Sequence, residues 1–251
     1  MESEKLNLNK IIFPSKLTVT EQEIDISTLN QKQQKFYLDL FTEIVDIYTK
    51  KQKHRVIIGI TGPTGSGKSV ISALFQEIAK QIKLPFRLET VGIDAFHYPN
   101  NILVSQKKDG KNLIDYKGRF DTYDVSKLIS ALKSFSLGKK ISLPVYSRKI
   151  HNPIENIVTI DEQNTLLLIE GLWLLYDQER WNEIGKLLDF SIFVNADKEV
   201  VRKAVVQRHI KGGRTATEAN NYYETVDSEN FDLVMKTKNR ANKIIASYHE
   251  I

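Results

Sequence analysis

Eight consecutive residues, Gly62, Pro63, Thr64, Gly65, Ser66, Gly67, Lys68 and Ser69, fit the pattern G-x-x-x-x-G-K-[ST] at every fixed position. Each residue type has a task in holding phosphate. Glycines let successive main-chain N–H groups curl around phosphate oxygens, and Lys68 reaches the β and γ phosphates. The Ser69 hydroxyl is a hard oxygen ligand for Mg²⁺, at the start of a helix whose dipole favours anions. Residues 62–70, ending at Val70, are therefore the expected nucleotide-binding segment. A plain glycine turn between a strand and a helix is the bland alternative. The loop by itself does not choose among ATPase, GTPase and kinase.

Other residues bear on that choice. In VGIDAFHYPNNIL, Asp94 stands at the carboxyl end of an apolar run, where an acid can orient and deprotonate an acceptor hydroxyl. His97 follows in the same stretch as a candidate acceptor contact. In TLLLIEGLWLL, Glu170 ends another apolar run; an acid there is costly to bury without a partner, and a metal ion would be one. A strand-end salt bridge is the other reading. Arg202, Arg208, Lys211 and Arg214 punctuate VRKAVVQRHIKGGRTATEA, with Gly212 and Gly213 as a helix stop or hinge. Arg208 and Arg214 are the candidates to close over phosphates, although solvated surface arginines would look alike. Tyr146, Arg148 and His151 lie within LPVYSRKIHNP and offer a ring, a planar cation and an imidazole for an acceptor.

Elements must bring these residues together. Residues 56–60, 88–93, 166–169 and 190–194 read as buried strands, with residues 233–235 a weaker fifth. Helical spacing runs through residues 31–50, 69–80 and 126–135, and a second lid helix through 217–223. Residues 16–20 are β-prone. ISLPVY and NIVTI flank SRKIHNP as a hairpin or excursion at the sheet edge. Strands alternating with helices imply an α/β fold with a central parallel sheet covered on both faces. Residues 1–54 read as an extension carrying an amphipathic helix, and residues 55–251 as the main domain with a lid near 203–223.

Composition narrows the field. In 251 residues there is no cysteine, which removes disulfides, thiolate metal sites and cysteine nucleophiles. The 36 Lys and Arg are scattered among 31 Asp and Glu, so the net charge of +5 points to anionic small molecules rather than nucleic acid. No apolar run approaches membrane-spanning length, and MESEKLNLNK lacks the apolar core of a signal peptide. A cytoplasmic protein is expected, with a homodimer left open.

The order of these motifs, phosphate loop, DAFHYPN, PVYSRKIH, LLLIEGLWLL, QRHIKGGR, resembles the phosphoribulokinase and uridine kinase family over residues 55–240. VGIDAFHYPNNIL and LPVYSRKI are similar to stretches of type I pantothenate kinases, and RTATEANNYYETVDSENFDLV to fructose-transport-associated kinases. The resemblance implies a three-layer P-loop kinase fold with a helical lid, use of ATP and Mg²⁺, and phosphoryl transfer to a hydroxyl of a small sugar, nucleoside or pantothenate-like metabolite. It implies the base role for Asp94, the acidic strand end for Glu170 and lid roles for Arg208 and Arg214. ENFDLVMKTKNRA resembles the last-strand region whose following loop borders adenine, which implies base contacts at Lys238 and Asn239. Two departures, Ala95 in place of glycine and Arg148 in place of the histidine of pantothenate kinases, weigh against pantothenate itself. A nucleotide-dependent switch or scaffold descended from such a kinase is the competing expectation.

Overall fold

Successive residues of the apolar strands point to opposite faces of a sheet, so a strand apolar at every position must be covered on both. The computed structural model, which describes residues 8, 10–108, 110–161, 163–247 and 250, has that arrangement. Its elements in chain order are β1 (Lys16–Val19), β2 (Gln22–Asp25), α1 (Gln31–Lys51), β3 (Arg55–Thr61), α2 (Lys68–Lys80), β4 (Arg87–Gly92) and α3 (Asn100–Ser105). There follow β5 (Lys107–Lys108), β6 (Lys111–Asn112), α4 (Val125–Ser136), β7 (Ile141–Ser147), β8 (Asn152–Ile160), β9 (Thr165–Gly171) and α5 (Asn182–Leu187). The chain continues through β10 (Phe190–Asn195), α6 (Lys198–Lys211), α7 (Ala216–Tyr222), α8 (Ser228–Met235) and β11 (Lys243–Ala246).

Five strands pair in parallel in the order β11, β10, β3, β9, β4. Val56, Ile58, Ile60, Leu166, Leu168, Ile192 and Val194 pack on one side against Tyr37, Phe41 and Ile44 of α1 and Ile71, Leu74 and Phe75 of α2. The alternate residues Ile57, Leu167, Ile169 and Phe193 pack on the other side against Leu128, Leu132 and Phe135 of α4 and Ile184 of α5. Three layers result. Phe75 meets Phe41 edge-on at 5.4 Å between ring centroids; Phe75→Ala would cost about 3–5 kcal/mol through lost burial and the cavity left behind.

The first 54 residues contribute to this core. Asn30 caps α1, its side chain accepting from Gln33 N while the Gln33 side chain accepts from Asn30 N, so two otherwise orphaned donors are satisfied. Leu17 of the β1–β2 hairpin is buried in the same cluster as α1 and α2. The hairpin tip, Thr20 and Glu21, has φ of 47° and 65° at residues other than glycine.

ISLPVY and NIVTI do pair, as the antiparallel strands β7 and β8, with Tyr146 opposite Pro153. Ile141, Leu143 and Ile160 root this hairpin in the second core cluster. Residues 233–235 are not a strand. They finish helix α8, and the fifth strand is β11 instead, parallel to β10. Three apolar residues carry no period that separates helix from strand, whereas Phe231 and Val234 share a buried face at helical spacing. Ile93, expected as a strand end, opens the 3₁₀ turn Ile93–Phe96. Among the described residues no helix is long and apolar enough to cross a membrane.

Candidate active site

Three neighbouring strand tips define the site. β9 lies between β3 and β4, and its Glu170 is in register with Ile60 on one side and Gly92 on the other. The glycine loop leaves β3 just beyond Ile60, and Asp94 comes two residues after Gly92. Loop, Glu170 and Asp94 thus share the carboxyl edge of a parallel sheet, the place where open α/β sheets take ligands.

The loop has the backbone its sequence demands. Gly62, Gly65 and Gly67 have φ of 145°, 78° and 95°, and a Cβ on Gly62 would collide with the Val194 carbonyl. Gly67 precedes α2 without a side-chain cap, which leaves the first N–H groups of the helix open to an anion. Ser66 Oγ is buried without a partner. Lys68 is buried, and its Nζ donates to the Pro63 carbonyl at 2.8 Å. Burial pushes the Lys68 ammonium down to about 8, against the pull of Glu170. Ser69 Oγ donates to Glu170 Oε1 at 2.8 Å, and burial raises the Glu170 carboxyl above its usual range.

Asp94 is held by different means. Tyr123 OH donates to its Oδ1 at 3.2 Å, and His97 Nε2 stands 3.8 Å from the same oxygen. Burial pushes His97 down to about 4, so the ring is neutral near pH 7, with Nδ1 3.0 Å from the Thr122 carbonyl it donates to. Burial opposes the charge of Asp94, but His97, Arg148, Arg208 and the Tyr123 hydroxyl outweigh it and hold the carboxyl below its ordinary range. With His97 neutral, the two guanidiniums and the hydroxyl carry that effect near pH 7. Arg208, on α6, feels Arg148, Asp227, Asp94 and Glu170, so the first lid arginine belongs to the same cluster.

A second group of side chains forms the other end of the cleft. Lys117 Nζ donates to Asn100 Oδ1 and to the His151 carbonyl, both at 2.5 Å, and lies 5.2 Å from the Tyr146 ring centroid. Tyr222 of α7 donates through its hydroxyl to the Lys117 carbonyl at 2.7 Å. Arg214 covers the Tyr222 ring at 3.7 Å, and one of its nitrogens donates to His209 Nδ1 at 2.9 Å, with His209 Nε2 2.8 Å from Asp227. Because Arg214 can only donate, His209 must be neutral in this arrangement, with its proton on Nε2.

Residues 57–250 match the model of the family described as "Phosphoribulokinase / Uridine kinase family". The chain belongs to the phosphoribulokinase/uridine kinase family. Its relatives include "Uncharacterized protein YggC" of Escherichia coli, 30% identical over 93% of this chain and 95% of that one. A "Pantothenate kinase" of Enterococcus faecalis is 31% identical, over 83% of this chain and 74% of its own length. Among solved structures, a Silicibacter sp. TM1040 protein named for a fructose transport system kinase superposes with TM-score 0.72 at 21% identity, over 83% of this chain and 98% of its own. YFH7 from Saccharomyces cerevisiae superposes with TM-score 0.70 at 17% identity, over 84% and 98%. These two likenesses concern the fold.

Within this family member the residues singled out from sequence fall into three places. Residues 62–70, Asp94, Glu170 and Arg208 gather at the strand tips, joined by His97 beneath Asp94. Tyr146, Arg148, His151 and Arg214 line the far end. His151, in the hairpin turn, has φ 49° and an exposed side chain. Lys238 and Asn239 sit in the 3₁₀ turn Lys238–Arg240, which precedes the last strand instead of following it. The expected order was inverted because 233–235 was read as the strand. Lys117, Tyr123 and Tyr222 were missed. Lys117 and Tyr123 are each one polar residue in a segment without periodicity and Tyr222 is one residue of the lid helix, and only the tertiary fold brings them to the cleft.

Proposed function

We propose that this protein is an ATP- and Mg²⁺-dependent kinase that transfers the γ-phosphoryl group to a hydroxyl of a small metabolite. One observation carries the reading: an ionised Asp94 stands at the strand tip beside the phosphate loop, with Lys68 and Arg208 close enough to feel its charge. Main-chain donors of residues 64–69 and the Lys68 ammonium bind the triphosphate; leaving the Pro63 carbonyl for phosphate oxygens restores the charge that burial weakens. The Ser66 hydroxyl, buried and unpartnered, is a further donor to that cradle.

The adjacent oxygens of Ser69 and Glu170 suit Mg²⁺, which binds through few protein ligands and supplies charge neutralisation at the phosphates. Asp94 accepts the hydrogen bond of the acceptor hydroxyl and takes its proton as the new O–P bond forms and the bond to the ADP oxygen breaks. Arg208 neutralises the oxygens of the group in transit, and α6 and α7 exclude water from it.

Purified protein with ATP, Mg²⁺ and a panel of nucleosides, sugars, glycerate and pantothenate should release ADP faster with one acceptor than with none. ATP binding without stimulation by any of them, together with nucleotide-dependent capture of a protein, would favour the switch or scaffold reading.

A further inference from the structure

Most cations of this molecule that lie near a carboxylate take it as partner: Lys127 binds Glu155, Lys198 binds Asp232, and Arg119 binds Asp121. Three cations at the far end of the cleft differ. Lys117 spends its ammonium on two neutral oxygens, of Asn100 and of the His151 main chain. Arg214 lies on the Tyr222 ring and donates to a neutral imidazole. Arg148, at the start of the β7–β8 turn, has no ion pair among the described residues. The three come from the loop after β6, the hairpin turn and the lid, yet Tyr222 ties the lid to Lys117 and Lys117 ties itself to the turn.

They also act on one point: after burial, Lys117, Arg148 and Arg214 are in that order the influences that disfavour a proton on His151. Among the described residues no carboxylate forms an ion pair with any of the three, and burial pushes Lys117 down to about 8 against the pull of Asp94, the acid that Arg148 also faces. With Asp94 the acid that two of them feel, the three leave net positive charge at that end, which an anionic group would offset. In the proposed arrangement the loop, Lys68 and Arg208 hold the triphosphate at the strand tips, and Arg148, felt by both Arg208 and Asp94, bridges the two ends.

We infer that the acceptor carries its own anionic group, a carboxylate or a phosphate monoester, seated among Lys117, Arg148 and Arg214, with the reactive hydroxyl extended toward Asp94. Tyr146, within reach of Lys117 and 5.9 Å from His97 between centroids, walls the space between the two. This rests on the kinase reading and narrows it, since a neutral nucleoside or free sugar offers these three side chains hydrogen-bond acceptors but no charge.

The test pairs charged acceptors with uncharged counterparts, in ADP release and in thermal shift with Mg²⁺ and a non-hydrolysable ATP analogue. D-glycerate is set against glycerol, pantothenate against pantothenyl alcohol, and ribulose 5-phosphate against ribose and uridine. A charged compound should exceed its neutral partner in kcat/KM by about a hundredfold, as expected for a site whose buried donors would otherwise be left unpaired; the active pair tells carboxylate from phosphate. Lys117→Met and, in the exposed turn, Arg148→Gln should each raise KM for that compound about tenfold or more while the KM for ATP stays within about twofold. Turnover of uridine, ribose or glycerol as fast as any charged compound overturns the inference and leaves the kinase reading standing. So do silence of every charged compound in both assays and a shift of the ATP KM in place of the acceptor KM. Failure to bind ATP at all would sink the kinase reading itself.

Discussion

Between Thr61 and Ser69 one unbroken segment supplies most of the phosphate end of the cleft, chiefly with main chain; the acceptor end takes Asp94, Lys117, Tyr146 with Arg148, and Arg214 from four segments, all with side chains. The first is rigid by construction. A strand buried at every position feeds a loop whose positive-φ glycines admit one path into a helix. The second depends on contacts between parts of the chain more than a hundred residues apart, such as Tyr222 with Lys117. Main-chain donors recognise any triphosphate, whereas side chains from separate segments can be exchanged one at a time. One end therefore fixes the donor and the other can change the acceptor, a division that mutations can test.

The sharpest separation comes from Asp94→Asn. It keeps the shape and the hydrogen bond from Tyr123 but removes the charge and the proton acceptor. Phosphoryl transfer should fall by about 10²–10⁴ while ATP affinity, measured by calorimetry, changes little. An unchanged rate would remove Asp94 from the chemistry and with it the joint between the two ends. In contrast, Gly62→Ala should act on the other end alone. Its Cβ meets the Val194 carbonyl and its φ suits only glycine, so ATP binding should be lost with a stability cost of about 1–3 kcal/mol in thermal unfolding.

How much of each end could be read from the sequence follows from the same contrast. The phosphate loop was legible because its function is encoded in consecutive residues, and β3, β9 and β10 because burial on both faces writes a nearly continuous apolar run; the edge strand β4 was legible from Leu88, Val91 and Ile93, although of its own residues only Val91 is buried. Asp94 and Glu170 were legible as acids ending such runs. Lys117 was not: in IDYKGRFDTYD nothing distinguishes it from Lys111, which is exposed. Its role depends on Asn100, His151 and Tyr222 arriving from elsewhere. The strand β11 was missed because it is an edge strand of four residues beginning with Lys243, only one of them buried, and so lacks the apolar run that marked β3, β9 and β10.

His97 makes the acceptor end sensitive to acid. Its folded-state pKa of about 4 lies below the unfolded value of 6.5, so between those pH values the unfolded chain binds more protons. Stability therefore falls as pH drops from 6.5 to 4, by up to roughly 3 kcal/mol from this group. Asp94 and the Thr122 carbonyl favour the proton, and Lys117 and burial disfavour it. Urea midpoints of the wild type and His97→Gln, compared at pH 7 and pH 4.5, should converge or cross because the variant lacks this term. Parallel curves would mean that His97 binds its proton equally well in the folded and unfolded chain.

A smaller effect should come from the lid. Asp227 and His209 hold Arg214 in line, so His209→Leu should lower kcat/KM about tenfold, the worth of a hydrogen bond to a charged group, and His209→Gln should recover part of it. In an Arg214→Gln background the same change should do almost nothing further, because His209 acts through Arg214. Additive losses would mean that His209 serves the fold of the lid and not the arginine.

The slightest change tests whether the first 54 residues touch the acceptor end. Both oxygens of Glu21 accept from Ser147 Oγ at 3.2 Å, and one also accepts from Lys149 N at 3.1 Å; these two residues bracket Arg148. Thr20 and Glu21 hold a left-handed turn that favours glycine and asparagine, so the contact persists at some backbone cost. Glu21 is exposed, and its bonds are long. Glu21→Ala should accordingly raise the acceptor KM only about two- to fivefold, with kcat and the ATP KM unchanged. Glu21→Gln, which can still accept from Ser147 and Lys149, should lie close to wild type. If the alanine variant instead lowers kcat and leaves the acceptor KM alone, the hairpin tip does not steady Arg148, and the acceptor end is complete without the N-terminal segment.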